Sequence, residues 1–238
     1  MQEEYFFVES NQIFSKYLIL ENDEAKHISR VLRKSIGDSI WVVDGKENAY
    51  KTVISKIDKS LVECEIVSKH QKQNEPKIEI TLAFSILKNP ARNDLIIEKC
   101  TELGVKYFIP IISQRTISNK AKQSRWEQIA LSSMKQSGRC WLPEIKQLSN
   151  FKELIFSAKN YDLKIIPHEK IFDNINIPEL KIKHHNLKSV LIIIGPEGGF
   201  TEDEIQFAEE NNFNAVSLGN RRLRSETAAI ASVTITTI

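Results

Sequence analysis

Cysteine is scarce in this chain of 238 residues, which has only Cys64, Cys100 and Cys140. They are odd in number and far apart, which argues against a disulfide framework and against a zinc cluster. Small buried side chains are the expectation. No apolar run approaches the roughly 20 residues that cross a bilayer. Met1 to Ser10 mixes acids with aromatics instead of placing an apolar segment behind a basic one, so a soluble, unexported, cytoplasmic protein is expected. An excess of one charge is also missing. Against 31 Asp and Glu stand 33 Lys and Arg, and the net +2 is too small to imply nucleic acid by itself. There is no internal repeat and no low-complexity tract. What is present is 41% hydrophobic residues, enough for an ordinary core in one large domain or two modest ones.

Up to about Lys69 the pattern is of short strands, Ser39 to Val43, Ala49 to Ile54 and Leu61 to Val67, with an Asp44-Gly45 turn and one helix over Asn22 to Leu32. This predicts a small β-rich barrel. The polar, aperiodic stretch His70 to Pro76 reads as a linker, so the domains are placed at 1–73 and 74–238. Strand and helix then alternate. Ile78 to Phe84 and Val105 to Ile112 read as strands, and Ala91 to Leu103, stopping at Gly104, reads as a helix. Trp126 to Ser137 has helical spacing. Asn150 with Glu153 and Thr201 with Glu204 form capping boxes that open two further helices. Leu163 to Ile166 and Ala215 to Leu218 are short strands, and Lys188 to Ile194 is an apolar β-branched run suited to the centre of a parallel sheet. A last helix starts at Ser225. The second domain is α/β, with helices on a mostly parallel sheet.

Two loops carry chemistry. Gly195-Pro196-Glu197-Gly198-Gly199-Phe200 leaves a buried strand and enters a capped helix, where open parallel sheets bind ligands. It has neither G-x-G-x-x-G spacing nor Gly-Lys-Ser/Thr, and Glu197 repels phosphate, so a cationic or neutral ligand fits better than a nucleotide phosphate. The alternative is a tight turn that uses glycine only for backbone freedom. The stretch Leu218 to Ala228 makes a second loop that also follows a strand and enters a helix, and two such loops can enclose one flat ligand such as adenine. Glu226 has a structural reading as a helix N-terminal acid. Two basic clusters stand out, Lys26, His27, Arg30, Arg33 and Lys34, and Arg221, Arg222 and Arg224; taken singly, each reads as a solvated face. His184 and His185, in a basic stretch without a carboxylate partner, do not make a metal set.

The string Gly195 to Phe200, Leu218-Gly219 with Leu223 to Ala228, and Lys99 to Val105 together resemble the RsmE family, ribosomal RNA (uracil-N(3)-)-methyltransferases of the SPOUT class. Gln136-Ser137-Gly138-Arg139 with Pro143, and His27 to Arg33 followed by Gly37-Asp38, extend the resemblance over almost the whole chain. The resemblance implies a PUA-like barrel followed by a SPOUT domain whose last portion threads a loop as a deep trefoil knot. It also implies S-adenosylmethionine as cofactor. The expected contacts are Ile194, Gly195, Pro196, Gly198, Gly199, Leu218, Gly219, Leu223, Arg224 and Thr227, with Pro167 and His168 closing the pocket.

A sulfonium methyl donor needs a nucleophile in line and no metal. The uracil nitrogen between two carbonyls must lose its proton, so an arginine or lysine near the carbonyl oxygens is expected to stabilise the anion. Arg139 is the first candidate, then Lys88, Arg92 and Arg224, with Glu102 or Glu197 as base or as a partner orienting an arginine; Glu102 also has a reading as a paired surface acid. The first-domain cluster, Lys26, His27, Arg30, Arg33 and Lys34, is expected to grip RNA phosphates, and Arg115 is placed on the RNA side as well. The implied partners are 16S ribosomal RNA or the assembled small subunit, with no membrane, and a second copy of the chain joined through the SPOUT domain. Two rival classes remain: an RNA-binding assembly protein that has lost the reaction, and a phosphotransferase, which the absent loop lysine disfavours.

Overall fold

The computed structural model describes residues 4–169, 176–184 and 186–238, which leaves His185 outside. Contacts divide the chain into two compact units, Met1–Glu75 with Leu131–Leu142, and Pro76–Ala130 with Pro143–Ile238.

In the first unit, β1 (Tyr5–Phe7), β2 (Tyr17–Glu21), β3 (Ser39–Val43), β4 (Asn48–Ile57) and β5 (Leu61–Gln71) form one sheet in the order β1-β3-β4-β5-β2. The β1 pairing with β3 is parallel and the rest are antiparallel. Its end strands, β1 and β2, do not pair, so this is a half-closed barrel. Alternation explains the strands. In β3, Ile40 and Val42 point into a core with Phe6, Leu18, Tyr50 and Val62, while Trp41 faces the other way. Register shifts after Lys51 and Ile54 bend β4 over that core.

The helix expected over Asn22 to Leu32 proves to be two pieces, α1 (Asn22–Lys26) and a π-helical turn, His27–Val31. The turn closes with Leu32 N–H donating to the His27 carbonyl at 3.0 Å. The wider turn keeps Ile28 fully buried and leaves His27 and Arg30 exposed.

The second unit contains β6 (Glu79–Ser85), α2 (Pro90–Glu102), β7 (Val105–Ile112) and the first half of α3 (Gln123–Ser137). It continues with β8 (Glu144–Ile145), β9 (Ser149–Asn150), α4 (Phe151–Ser157), β10 (Leu163–Pro167), α5 (Ile177–Lys183) and β11 (Ser189–Ile194). The chain ends with α6 (Glu202–Glu210), β12 (Asn214–Val216) and α7 (Ser225–Thr237). The sheet order is β12-β10-β11-β6-β7-β8, with β9 also on β7, and every pairing is parallel. Val190 to Ile194 is buried throughout because β11 lies between β10 and β6, as its unbroken apolar run predicts.

The helix starts follow local chemistry. Asn150 accepts from Glu153 N–H at 2.9 Å, Thr201 and Glu204 bond reciprocally, and Asn89 with Pro90 opens α2. The sequence reading did not anticipate α5, although Asn176 and Glu179 supply the same start signal. From Leu131 onward, α3 and the turn to Leu142 belong to the first unit, because Met134 and Cys140 are buried with Val43 and Ala49. No helix among the described residues is long and apolar enough to cross a membrane.

Candidate active site

Because β10, β11 and β12 are parallel and share β10 as a neighbour, their carboxyl ends release loops 167–169, 195–201 and 217–224 at one edge of the sheet. The loops border a cavity of about 380 Å³. Ile194, Gly195, Pro196, Gly198 and Gly199 line it from the first bend, and Leu218, Gly219, Leu223 and Arg224 from the second. Pro167 and His168 also line it. Thr227 does not. It is exposed on the first turn of α7, where Ser225 and Ala228 reach the wall instead.

Two backbone positions keep the cavity open. Gly199 has φ +66° and Gly219 has φ +101°, values that side chains adopt only under strain, and an added Cβ at either would meet nothing within 4 Å. Both therefore offer bare backbone to a ligand. Nε2 of His168 is buried and has no hydrogen-bond partner among the described residues, while its backbone N–H continues the ladder to the Val216 carbonyl at 3.0 Å.

The first bend is fastened to neighbouring loops by side chains, two of which, Arg115 and Glu197, also line the cavity. Arg115 Nη1 donates to the carbonyls of Gly198 (2.7 Å) and Phe200 (3.3 Å), so its guanidinium holds the first bend. Glu197 Oε1 accepts from the backbone N–H of Lys88 at 3.0 Å, which ties that bend to the β6–α2 loop. Glu204 accepts from Gln114 N–H at 2.8 Å. Asn93 closes the β6–α2 loop by bonding both the N–H and the carbonyl of Leu87. On the wall, Arg222 lies 3.4 Å from Glu169.

The expected catalytic residues separate. Arg92, in the first turn of α2, lines the cavity with its Nε 3.5 Å from Oε1 of Glu226. Lys88 is exposed and lines none of it, and Glu102 pairs with Lys99 at 2.8 Å near the end of α2. That pairing pushes the Lys99 ammonium pKa up, through hydrogen bonds it donates to Glu102 and then to Glu98. Arg139 is 2% exposed in the first unit, where Glu75 clasps it at 2.7 Å. In that unit Lys26, His27, Arg30 and Arg33 are exposed, while Lys34 is half-buried beside Glu4 at 3.3 Å. Glu169, Arg222 and Ser225 on the wall were not anticipated. Glu226 stood out in the sequence only as a helix-start acid.

A profile described as an RNA methyltransferase domain matches residues 73–237, and one described as an RNA methyltransferase PUA domain matches residues 20–67. A relative from Mesomycoplasma hyopneumoniae (strain 232), "Ribosomal RNA small subunit methyltransferase E", is 38% identical over 96% of each chain. The chain belongs to the ribosomal RNA small subunit methyltransferase E family. An Aquifex aeolicus (strain VF5) member of the same name is 35% identical over 92% of this chain and 93% of its own. The crystal structure of the Neisseria gonorrhoeae methyltransferase E, bound to S-adenosyl methionine, superposes with a TM-score of 0.86 at 31% identity, covering 98% of this chain and 96% of that one. Within the methyltransferase E family, the half-closed barrel corresponds to the PUA-like part and the parallel sheet to the SPOUT part.

Proposed function

We propose that this chain transfers the methyl group of S-adenosylmethionine to the ring nitrogen between the two carbonyls of a uridine in 16S ribosomal RNA. The observation that carries the reading is the convergence of two glycine-bearing bends on one cavity, at the carboxyl ends of β11 and β12. The residues fit that cofactor. Gly199 and Gly219 leave backbone uncovered, and His168 has a buried ring nitrogen with no hydrogen-bond partner among the described residues. Bound there, the cofactor supplies an electrophilic methyl group.

The protein's part is to place and polarise the base. Of the expected catalytic cations, Arg92 and Arg224 both line the cavity, and Arg92, in the first turn of α2, is assigned to the uracil oxygen on which charge grows as the ring nitrogen loses its proton. Arg115 and Glu197 hold the first bend. Arg139 is assigned to the clasp of the first unit, and Lys26, His27, Arg30 and Arg33 to RNA phosphates. The nucleotide is flipped or unpaired when it reacts. We further infer a homodimer through the SPOUT part and a cytoplasmic location alongside the ribosomal substrate. The threading of the last segment as a knot belongs to the same proposal.

Mass spectrometry of ribosomal RNA from cells lacking this protein tests the reading. One methylated uridine should disappear from 16S RNA and return when the purified protein is supplied with S-adenosylmethionine. An unchanged methylation pattern, with RNA binding intact, would leave a non-catalytic RNA-binding protein.

A further inference from the structure

Glu226 is a buried acid with incomplete partners. It is 7% exposed, its Oε1 lies 3.5 Å from Arg92 Nε, and its Oε2 is buried without a hydrogen-bond partner among the described residues. An acid placed only to cap α7 would accept from backbone N–H groups of the first turn. The start of α7 has no side-chain cap. A carboxylate out of water with one oxygen undonated is costly, and the cation beside it is Arg92. That cation is at the same time part of the cavity wall, with 30% of its side chain exposed.

The contact uses Nε, the inner edge of the guanidinium. Neither terminal amino group of Arg92 makes a hydrogen bond to the described residues. An arginine whose inner edge is ion-paired to a carboxylate has its two terminal nitrogens left as a planar fork. We propose that Glu226 is a positioning residue that fixes Arg92 with this fork facing the cavity, so that it donates to the carbonyl oxygen beside the attacking nitrogen of the base. This rests on the assignment of Arg92 to the substrate given above. Fixing the fork before the base arrives removes the need to reorganise it as charge develops.

The test uses the full chain with Glu226→Gln, Glu226→Asp, Arg92→Ala and the Arg92→Ala/Glu226→Gln double variant. Methylation is measured at saturating cofactor, cofactor affinity by calorimetry, and the Arg92 Nε–Hε resonance by NMR. Glu226→Gln should lower kcat about 30-fold with RNA KM changed by less than about threefold. Cofactor Kd should hold, and the Arg92 resonance should join those of mobile arginines. Glu226→Asp should recover part of the rate, and the double variant should be no slower than Arg92→Ala. Independent, multiplying effects in the double variant would overturn the proposal, as would a Glu226→Gln protein of normal kcat and lowered Tm. An Arg92→Ala protein of normal kcat would instead refute the substrate assignment beneath it.

Discussion

Glu75 Oε2 accepts two hydrogen bonds from the guanidinium of Arg139, at 3.1 Å from Nε and 2.7 Å from Nη2, and Oε1 accepts the backbone N–H groups of Cys140 and Trp141, each at 2.9 Å. One carboxylate therefore gathers the turn that follows α3 onto the segment that ends the first unit. Glu75→Ala should cost about 3 to 5 kcal/mol of unfolding free energy, because a buried cation loses this counter-charge. Denaturant titration checks this, and Arg139→Ala should fall in the same range. An Arg139→Ala protein with unchanged stability and no methylation would return Arg139 to the chemistry.

Arg115 donates to two carbonyls of the 195–200 bend, so its removal should loosen a ligand loop and not an RNA grip. Arg115→Ala should weaken cofactor binding roughly tenfold, equivalent to one charged hydrogen bond. Calorimetry with S-adenosylmethionine measures it. Unaltered cofactor affinity with a shallower salt dependence of RNA binding would place Arg115 on the RNA.

Gly219 has φ +101° and open space where a Cβ would stand. Gly219→Ala should lose about 1 kcal/mol or slightly more to backbone strain. It should lose more in cofactor affinity than in Tm, because the methyl group occupies the ligand's side of the bend. Equal losses of both would mean that the glycine serves the turn alone.

Arg30 and Arg33 flank the end of the π-helical turn and are exposed. Replacing both by alanine should reduce the slope of log affinity for RNA against log salt by about 1.4 to 1.8. The kcat at saturating RNA should not move. Filter binding across a salt series decides, and an unchanged slope would remove this face from the RNA contact.

Asp162 accepts from the backbone N–H groups of Lys188 and Ser189, each at 2.9 Å, and from the Ser189 hydroxyl. These bonds, Lys188 first, hold its carboxyl pKa below the usual carboxylate value. A lowered folded pKa stabilises the fold above the unfolded pKa of about 4, and the contribution disappears as pH falls through the folded value. Wild-type Tm should therefore fall more steeply below about pH 4 than that of Asp162→Asn. Parallel acid profiles would show that the entry to β11 does not depend on this charge.

Much of the architecture was legible locally. Ser39 to Val43 forms a strand with the bounds its pattern gave, and the Thr201–Glu204 start of α6 is made by the expected pair. The two bends were marked as ligand loops by their position between strand and helix. The catalytic candidates were less legible, because Arg92, Arg139, Lys88 and Glu102 are equal in the sequence as charged residues near family strings. Only their surroundings separate a guanidinium on a cavity wall from one clasped by Glu75 or an acid spent on Lys99.

By itself the sequence determined which stretches become strands, helices and bends, since hydrophobic period, capping pairs and glycine positions act within a few residues of chain. It also determined the family, through short strings in order. Tertiary structure alone decided that Leu131–Leu142 joins the first unit, that Arg115 bonds the carbonyls of the 195–200 bend, and that Glu226 lies against Arg92 although 134 positions away in the chain. Those relationships depend on which strand ends become neighbours in the sheet and on which charges lose water together, and neither is encoded in any short window of residues.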